Sequence, residues 1–141
     1  MTEIDYDKEV EKINTYNKPI LNEFAAWLKK TGLAQKTIKT HVENMDFFAE
    51  YLTYYEPLYA LDEADAGDVA SFLLDWYPRK AMWASVSHTK SHMATFRKFF
   101  KFMSESNRID KVVEDEVRQV LKDEKDAFLE AVAFADADEW W

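Results

Sequence analysis

Ten basic side chains of this sequence fall into two windows that contain no acidic residue. Residues 29–41 hold four lysines, and residues 79–101 hold six bases. Basic residues grouped without compensating carboxylates are typical of surfaces that contact phosphate groups. Charge runs are also typical of solvated helix faces that bind nothing, so that alternative stays open. The bases of the second window are Arg79, Lys80, Lys90, Arg97, Lys98 and Lys101.

Most of the second window falls on a stretch, residues 85–105, whose apolar positions repeat with the period of a helix. At about 100° per residue, Lys90, Arg97 and Lys101 fall within about 40° of one another, and Lys98 lies beside them. The sequence therefore predicts a helix with separate apolar and basic faces. The predicted core positions are Met93, Phe96, Phe100 and Met103.

Two other groups of residues could bind metal, and neither is convincing. His88 and His92 are four residues apart, a spacing found in metal sites, but the sequence has no Cys and no nearby carboxylate in that helix. We interpret both as histidines at the border of the core. The acidic segment 62–68 has alanines at two ligand positions of a calcium loop, so we interpret it as helix capping. We predict no metal, no cofactor and no catalytic residue.

Composition excludes several classes of protein. The chain has 141 residues, 48% hydrophobic residues, 2 Gly and no Cys. This length suits one domain, and the apolar content is too high for intrinsic disorder. The absence of Cys excludes disulfide scaffolds and thiolate chemistry. Two glycines are too few for a dinucleotide-binding fingerprint or a P-loop.

The net charge of −9 argues against a nucleic-acid partner at first sight, but the charge is unevenly distributed. Residues 1–28 carry −3, residues 29–101 carry +1, and residues 102–141 carry −7. The acidic C-terminal block has two interpretations. It is either a further bundle helix with a solvated face or a DNA mimic that covers a basic face, anchored by Phe134 and Trp140-Trp141.

The apolar pattern predicts an all-α bundle of five to six helices. Pro19 suits a helix start, Asp65 and Ser85 suit N-caps, and Pro78 suits a helix end. The predicted helices span residues 19–30, 35–54, 66–77, 85–105 and 110–134, with an earlier helix within 3–17. The acidic N-terminus does not resemble a signal peptide, and no run is long enough to span a membrane, so we expect a cytoplasmic protein.

Three segments resemble one domain family. The run FAAWLKKTGLAQKTI, from Phe24 to Ile38, resembles the opening F-x-x-W/Y-L-x-x-x-G-L-S-x-x-T-I of the N-terminal, core-binding, SAM-like domain of phage integrases, the tyrosine recombinases. Residues 44–52 resemble its N-x-x-x-F-x-x-Y-L continuation, and residues 95–102 resemble its L-R-x-F-F-x-F-L helix. The resemblance covers residues 19–109, and Ala34 departs from the family's usual Ser.

The resemblance implies a SAM-like four-helix core that clamps duplex DNA, while a separate domain performs strand exchange. Transferred by position, the start of the second helix and the bases of residues 79–101 would contact DNA. The catalytic domain requires well over a hundred further residues, whereas about 32 follow Ile109, so we predict a non-catalytic module linked to DNA integration or recombination. The residues implied at the second helix are Lys36, Thr37, Lys39 and Thr40.

These observations predict three regions: an N-terminal extension (1–18), the integrase-like domain (19–109) and an acidic C-terminal helix and tail (110–141). The alternative function is a helical protein-interaction or self-association domain that has lost DNA binding. In that case the C-terminal helix would join copies of the chain into a homo-oligomer.

Overall fold

The computed structural model describes the backbone of residues 2–138 and the side-chain surroundings of residues 2–133. All regular secondary structure in that range is helical, which confirms the predicted all-α fold. The chain divides into two compact units, Met1–Ala64 and Asp65–Trp141, and each is described by itself.

The first unit is a pair of packed helices, α1 (Glu3–Lys30) and α2 (Gln35–Leu52), followed by a 3-10 turn at Leu61–Glu63. The connection between the two helices passes through Gly32, whose φ of +91° favours glycine. Apolar residues at helical spacing on both helices form the core of this unit. The buried ones are Ile20, Phe24, Leu28, Ile38, Met45, Phe48, Ala49 and Leu52.

The predicted helix start at Pro19 is wrong, because α1 is continuous from Glu3 to Lys30 and Pro19 lies inside it. An internal proline lacks one backbone donor, so the helix needs other contacts on its N-terminal side. Tertiary hydrogen bonds supply them: the Tyr6 hydroxyl donates to the Thr53 carbonyl, and the Asn17 side chain accepts from the backbone of Leu61. The segment before Pro19 is therefore part of the folded first unit.

The second unit begins at Asp65, which caps the first of its helices as predicted. The Asp68 N–H donates to Asp65 Oδ1 at 3.1 Å, and the Asp65 N–H donates to Asp68 Oδ2 at 3.0 Å. This reciprocal pair is a capping box. The helical segments that follow are α3 (Ala66–Ser71), a π-helical turn (Phe72–Trp76), α4 (Tyr77–Lys80), α5 (Val86–Glu105), α6 (Lys111–Asp123) and α7 (Lys125–Asp138).

Pro78 does not end the helix that starts after Asp65, contrary to our prediction. The preceding turn widens so that the Tyr77 N–H donates to the carbonyl of Phe72, five residues back. This π-helical turn lies just before Pro78, which has no backbone N–H to donate. The chain stays helical to Lys80.

The single C-terminal helix predicted over 110–134 is two helices, which meet at Glu124. Helix α6 packs against α3 and α5, whereas α7 packs against α5, α4 and the π-helical turn. Because α6 and α7 pack against different sets of helices, the interruption at Glu124 allows both helices to bury apolar residues. The residues buried in this way are Val117, Leu121, Phe128 and Val132.

Candidate nucleic-acid interface

The first group of candidate residues lies in the first two turns of α2. All four side chains are exposed, and no acidic residue lies in the first turn. The N-cap is Ala34, which makes no side-chain cap hydrogen bond, so the positive end of the helix dipole is uncompensated there. We call Lys36, Thr37, Lys39 and Thr40 the α2 basic surface.

One lysine of the α2 basic surface has a carboxylate neighbour. Lys39 Nζ lies 3.8 Å from Glu43 Oε1, and both side chains are largely exposed. Such exposed pairs contribute little free energy, so Lys39 can exchange this carboxylate for another anion. The Thr40 hydroxyl donates to the Lys36 carbonyl at 3.2 Å.

The second group lies on α5, which begins after the N-cap Ser85. The Ser85 hydroxyl accepts from the His88 N–H at 3.1 Å, as the sequence predicted. The opposite face of the helix is buried, and it includes the predicted Met93, Phe96, Phe100 and Met103. We call Lys90, Arg97, Lys98 and Lys101 the α5 basic surface.

Within residues 2–133, no carboxylate compensates the charge of the α5 basic surface. Lys90 and Lys101 are exposed, while the stems of Arg97 and Lys98 are half-buried on the helix. Among the described side chains, none of these four forms an ion pair. At about 1.5 Å per residue, the row from Lys90 to Lys101 is roughly 16 Å long. The structure therefore presents a row of cations available to an external anion.

Arg79 differs from the other candidates, because a carboxylate already binds its guanidinium. Arg79 Nε lies 3.1 Å from Asp75 Oδ1, and Nη2 lies 3.0 Å from Asp75 Oδ2. This two-point ion pair has the geometry in which arginine also binds phosphate. Lys80 follows it, exposed, at the end of α4.

The two candidate metal-binding histidines have separate structural roles. His92 is buried, with its ring 4.7 Å from that of Tyr77 and 5.5 Å from that of Phe72. Burial, and to a lesser degree the nearby His88, lowers the pKa of His92 to about 4. His88 is exposed, and its Nδ1 lies 2.9 Å from Ser85 Oγ. Within the described residues, no three His, Asp or Glu side chains are grouped to hold a metal.

A groove of about 580 Å³ lies between α1 and α2 in the first unit. Asn17, which is 2% exposed, lines it together with Asn14 and Asn22. Lys18 and the carboxylates of α2 give its walls charges of both signs. This lining provides neither a set of metal ligands nor a phosphate cradle.

Among the described side chains of the acidic C-terminal segment, one carboxylate is buried. Glu114 is 4% exposed and accepts from Lys111 Nζ at 3.1 Å and from Arg118 Nε at 2.9 Å. Burial alone would raise the pKa of Glu114, but hydrogen bonds from Arg118, Lys111 and Ser104 outweigh it and hold the pKa below its usual value. The predicted anchor formed by Phe134 and Trp140-Trp141 lies outside the side chains that the structure describes.

The sequence did not predict the most exposed of the large apolar side chains that the structure describes, and the predicted interface left out two of the lysines of the first window. Met82, in the loop between α4 and α5, is 93% exposed. Its exposure follows from the turn that carries it and has no periodic signal in the sequence. Lys29 and Lys30 are exposed in the last turn of α1, where they also complement the helix dipole.

All regular secondary structure in the described part of the chain is helical, and exposed basic side chains lie on α2 and α5. The chain matches the family described as phage integrase, N-terminal SAM-like domain, over residues 21–107, and it belongs to that family. The predicted resemblance is thereby confirmed. No curated protein and no solved structure shows a significant match. Within residues 2–138, no helix is both long and apolar enough to cross a membrane.

Proposed function

We propose that the protein binds duplex DNA through its phosphate backbone and does not itself catalyse strand exchange. Membership of an integrase-related domain family supports this proposal. The observation that carries it is the α5 basic surface, a row of roughly 16 Å in which no cation is paired with a carboxylate among the side chains that the structure describes. That length is about half of one turn of B-form DNA.

Local charge matters more for such binding than the net charge of −9. The Debye length at physiological ionic strength is about 8 Å, so exposed charges farther apart than this are largely screened. A phosphate on the α5 basic surface therefore responds mainly to the cations beside it. Each contact releases condensed counterions, which makes the affinity depend on salt.

The α2 basic surface supports the proposal independently. Backbone N–H groups at the start of a helix bind anions, and the start of α2 has no side-chain cap. Lys36, at the second position of this helix, adds a cation beside those groups. We therefore expect α2 to contribute a second set of phosphate contacts.

The arginines and tyrosines support a non-catalytic role. Strand exchange in this family requires two arginines and a histidine to hold the phosphate, and a tyrosine nucleophile. Two of the four arginines here pair with buried or neighbouring carboxylates, and Tyr77 is fully buried. The arginines of the sequence are Arg79, Arg97, Arg108 and Arg118.

Fluorescence anisotropy of a labelled duplex, measured over a series of salt concentrations, tests the proposal. Changing all four residues of the α5 basic surface to Gln should weaken binding strongly and reduce the slope of log K against log salt by about 0.9 per lost contact. A control with the same change in net charge replaces four exposed lysines elsewhere, and it should bind nearly normally. Those control positions are Lys8, Lys12, Lys122 and Lys125.

Circular dichroism of each variant checks that helicity is unchanged. If the wild-type protein binds no duplex DNA even at low salt, the proposal is wrong. Equal weakening by both sets of substitutions would show that net charge, and not the α5 basic surface, controls binding.

The alternative function is self-association or protein binding through the C-terminal helices. Val117, Leu121, Phe128 and Val132 are buried inside the second unit. Val112, which is 58% exposed, and the exposed acidic residues of the described part of these helices remain for a partner. Truncation before α6 would remove Val117 and Leu121 from the core, so the full chain must be used. Light scattering of the full chain should show a concentration-dependent oligomer under this alternative, whereas a monomer at all concentrations counts against it.

A further inference from the structure

The connection between α4 and α5 is a tight turn that is anchored at both ends. Ala81 and Ala84 are 6% and 8% exposed, and the Ala84 N–H donates to the Ala81 carbonyl at 3.1 Å. The Ala81 N–H in turn donates to the carbonyl of Tyr77 at 3.0 Å. Because both anchors are buried, the two central residues, Met82 and Trp83, are held at the surface.

Met82 is the most exposed of the large apolar side chains that the structure describes, at 93%. Trp83, next to it, is 50% exposed. Single exposed apolar residues are ordinary on protein surfaces, so the feature that calls for a function is the combination of two adjacent exposed apolar side chains on one anchored turn. Met82 and Trp83 together form what we call the apolar prong.

The charge around the apolar prong indicates the chemistry of that molecule. Lys80 precedes it, the N-terminus of α5 follows it, and Lys90 lies about one turn into that helix. No acidic residue occurs between residues 79 and 101, and the nearest preceding one, Asp75, pairs with Arg79. An apolar tip with cationic flanks complements a partner that has anionic edges and an apolar interior.

Duplex DNA has that combination, because its phosphates border a stack of bases. Proteins that bend DNA insert apolar side chains, methionine among them, between base pairs from the minor groove. A methionine side chain is long, unbranched and flexible enough to enter such a gap.

We propose that Met82 is a wedge that inserts between adjacent base pairs of the bound duplex and unstacks them. This inference rests on the proposed DNA binding and adds a deformation of the DNA to it. Lys80 and Lys90 bind phosphates on either side of the opened step. Pyrimidine–purine steps, which unstack most easily, are the preferred sites of insertion.

Met82→Gln tests the wedge, because glutamine has nearly the same length but a polar end. At 93% exposure, this substitution leaves the packing of the fold unchanged. The matched control is Ile4→Gln, which alters an apolar side chain that is 68% exposed on α1. The probe is a short duplex with 2-aminopurine at a TA step, whose fluorescence rises when the base unstacks.

We expect the wild-type protein and Ile4→Gln to raise the 2-aminopurine fluorescence. Met82→Gln should bind about tenfold more weakly and produce no rise even at saturation. If wild-type protein binds the duplex and Met82→Gln changes neither the affinity nor the 2-aminopurine fluorescence, the wedge is wrong while DNA binding stands. If the wild-type protein binds no duplex at all, both proposals fail. In that case, binding to phosphatidylserine vesicles that depends on Met82 would assign the apolar prong to a membrane surface.

Discussion

Asp75 binds the guanidinium of Arg79 in a two-point ion pair, with N–O distances of 3.1 and 3.0 Å. The two residues are one helical turn apart, and both side chains are more than half exposed. This pair lies at the start of the longest acid-free segment that carries the predicted interface. Arg79 is the first candidate DNA-binding residue of that segment, and the carboxylate of Asp75 therefore neutralises its charge within the protein.

Replacing Asp75 by Asn should strengthen DNA binding, because the guanidinium of Arg79 then exchanges a carboxylate for a phosphate. We expect affinity to rise by about three- to tenfold and the salt slope to steepen by about 0.9, the value for one added contact. Asp7→Asn, near the start of α1, changes the net charge equally and serves as the control. The same gain in both variants would contradict a specific role for Arg79 and would be explained by net charge alone.

The helix caps and core faces were predictable from the sequence because they depend on short-range patterns. The hydrogen bonds at Asp65 and Ser85 span three residues, and the apolar face of α5 follows from helical spacing alone. The continuation of helices through Pro19 and Pro78 was not predictable in this way, since it depends on tertiary contacts and on a local π-helical turn.

The candidate site was predictable to a similar extent. The exposure of Lys90 and Lys101 follows from their position opposite an apolar face. The acid-free window begins at residue 79 and therefore leaves out Asp75. The separation of four residues between Asp75 and Arg79 within a helix nevertheless predicts an ion pair from the sequence alone. The exposure of Met82 required the structure, because it follows from the burial of one alanine on each side of the Met82-Trp83 pair, Ala81 and Ala84.

Asn17 joins the loop after α2 to α1, and its replacement should destabilise the first unit. The Leu61 N–H donates to Asn17 Oδ1 at 3.0 Å, and both residues are buried. In Asn17→Leu this N–H loses its acceptor, at a cost of about 1–3 kcal/mol. Part of that cost is offset because the buried Asn17 Nδ2, which has no hydrogen-bond partner among the described atoms, is removed as well.

We therefore expect Asn17→Leu to lower the free energy of unfolding by about 1–2 kcal/mol in urea denaturation. Asn14→Leu, an exposed asparagine on the same helix, should change it by less than about 0.5 kcal/mol. A wild-type stability for Asn17→Leu would show that this hydrogen bond does not hold the loop.

His92 should make the stability of the protein depend on pH between about 6.5 and 4. Its pKa of about 4 in the folded protein is below the ordinary value of 6.5, chiefly because the ring is buried. The unfolded chain therefore binds more protons in this range, and the free energy of unfolding falls as the pH falls. A difference of about 2.5 pKa units corresponds to about 3 kcal/mol.

Urea denaturation at several pH values measures this effect, and His92→Leu should remove most of the slope over that range. His88→Gln should keep most of it, because the charge of His88 is the smaller of the two causes. If His92→Leu retains the wild-type slope, another group is responsible for the loss of stability.

Glu114 should contribute more to stability than its neighbour Asp115, although both carboxylates bind Lys111. Glu114 is buried and also accepts from Arg118, whereas the Asp115 side chain is 59% exposed. Its lowered pKa means that the charged form stabilises the fold above about pH 4.5, and that this stability is lost as the pH falls through the lowered pKa.

Glu114→Gln preserves the size of the side chain and one acceptor oxygen but removes the charge. Because its cationic partners are 66% and 46% exposed, solvent screens the lost interaction, and we expect a cost of about 1 kcal/mol at pH 7. The control Asp115→Asn should cost less than about 0.5 kcal/mol. Thermal or urea denaturation of both variants at pH 7 and pH 3 measures the difference. It should shrink as the pH falls through the lowered pKa of Glu114, and a difference that is independent of pH would contradict the assignment to its charge.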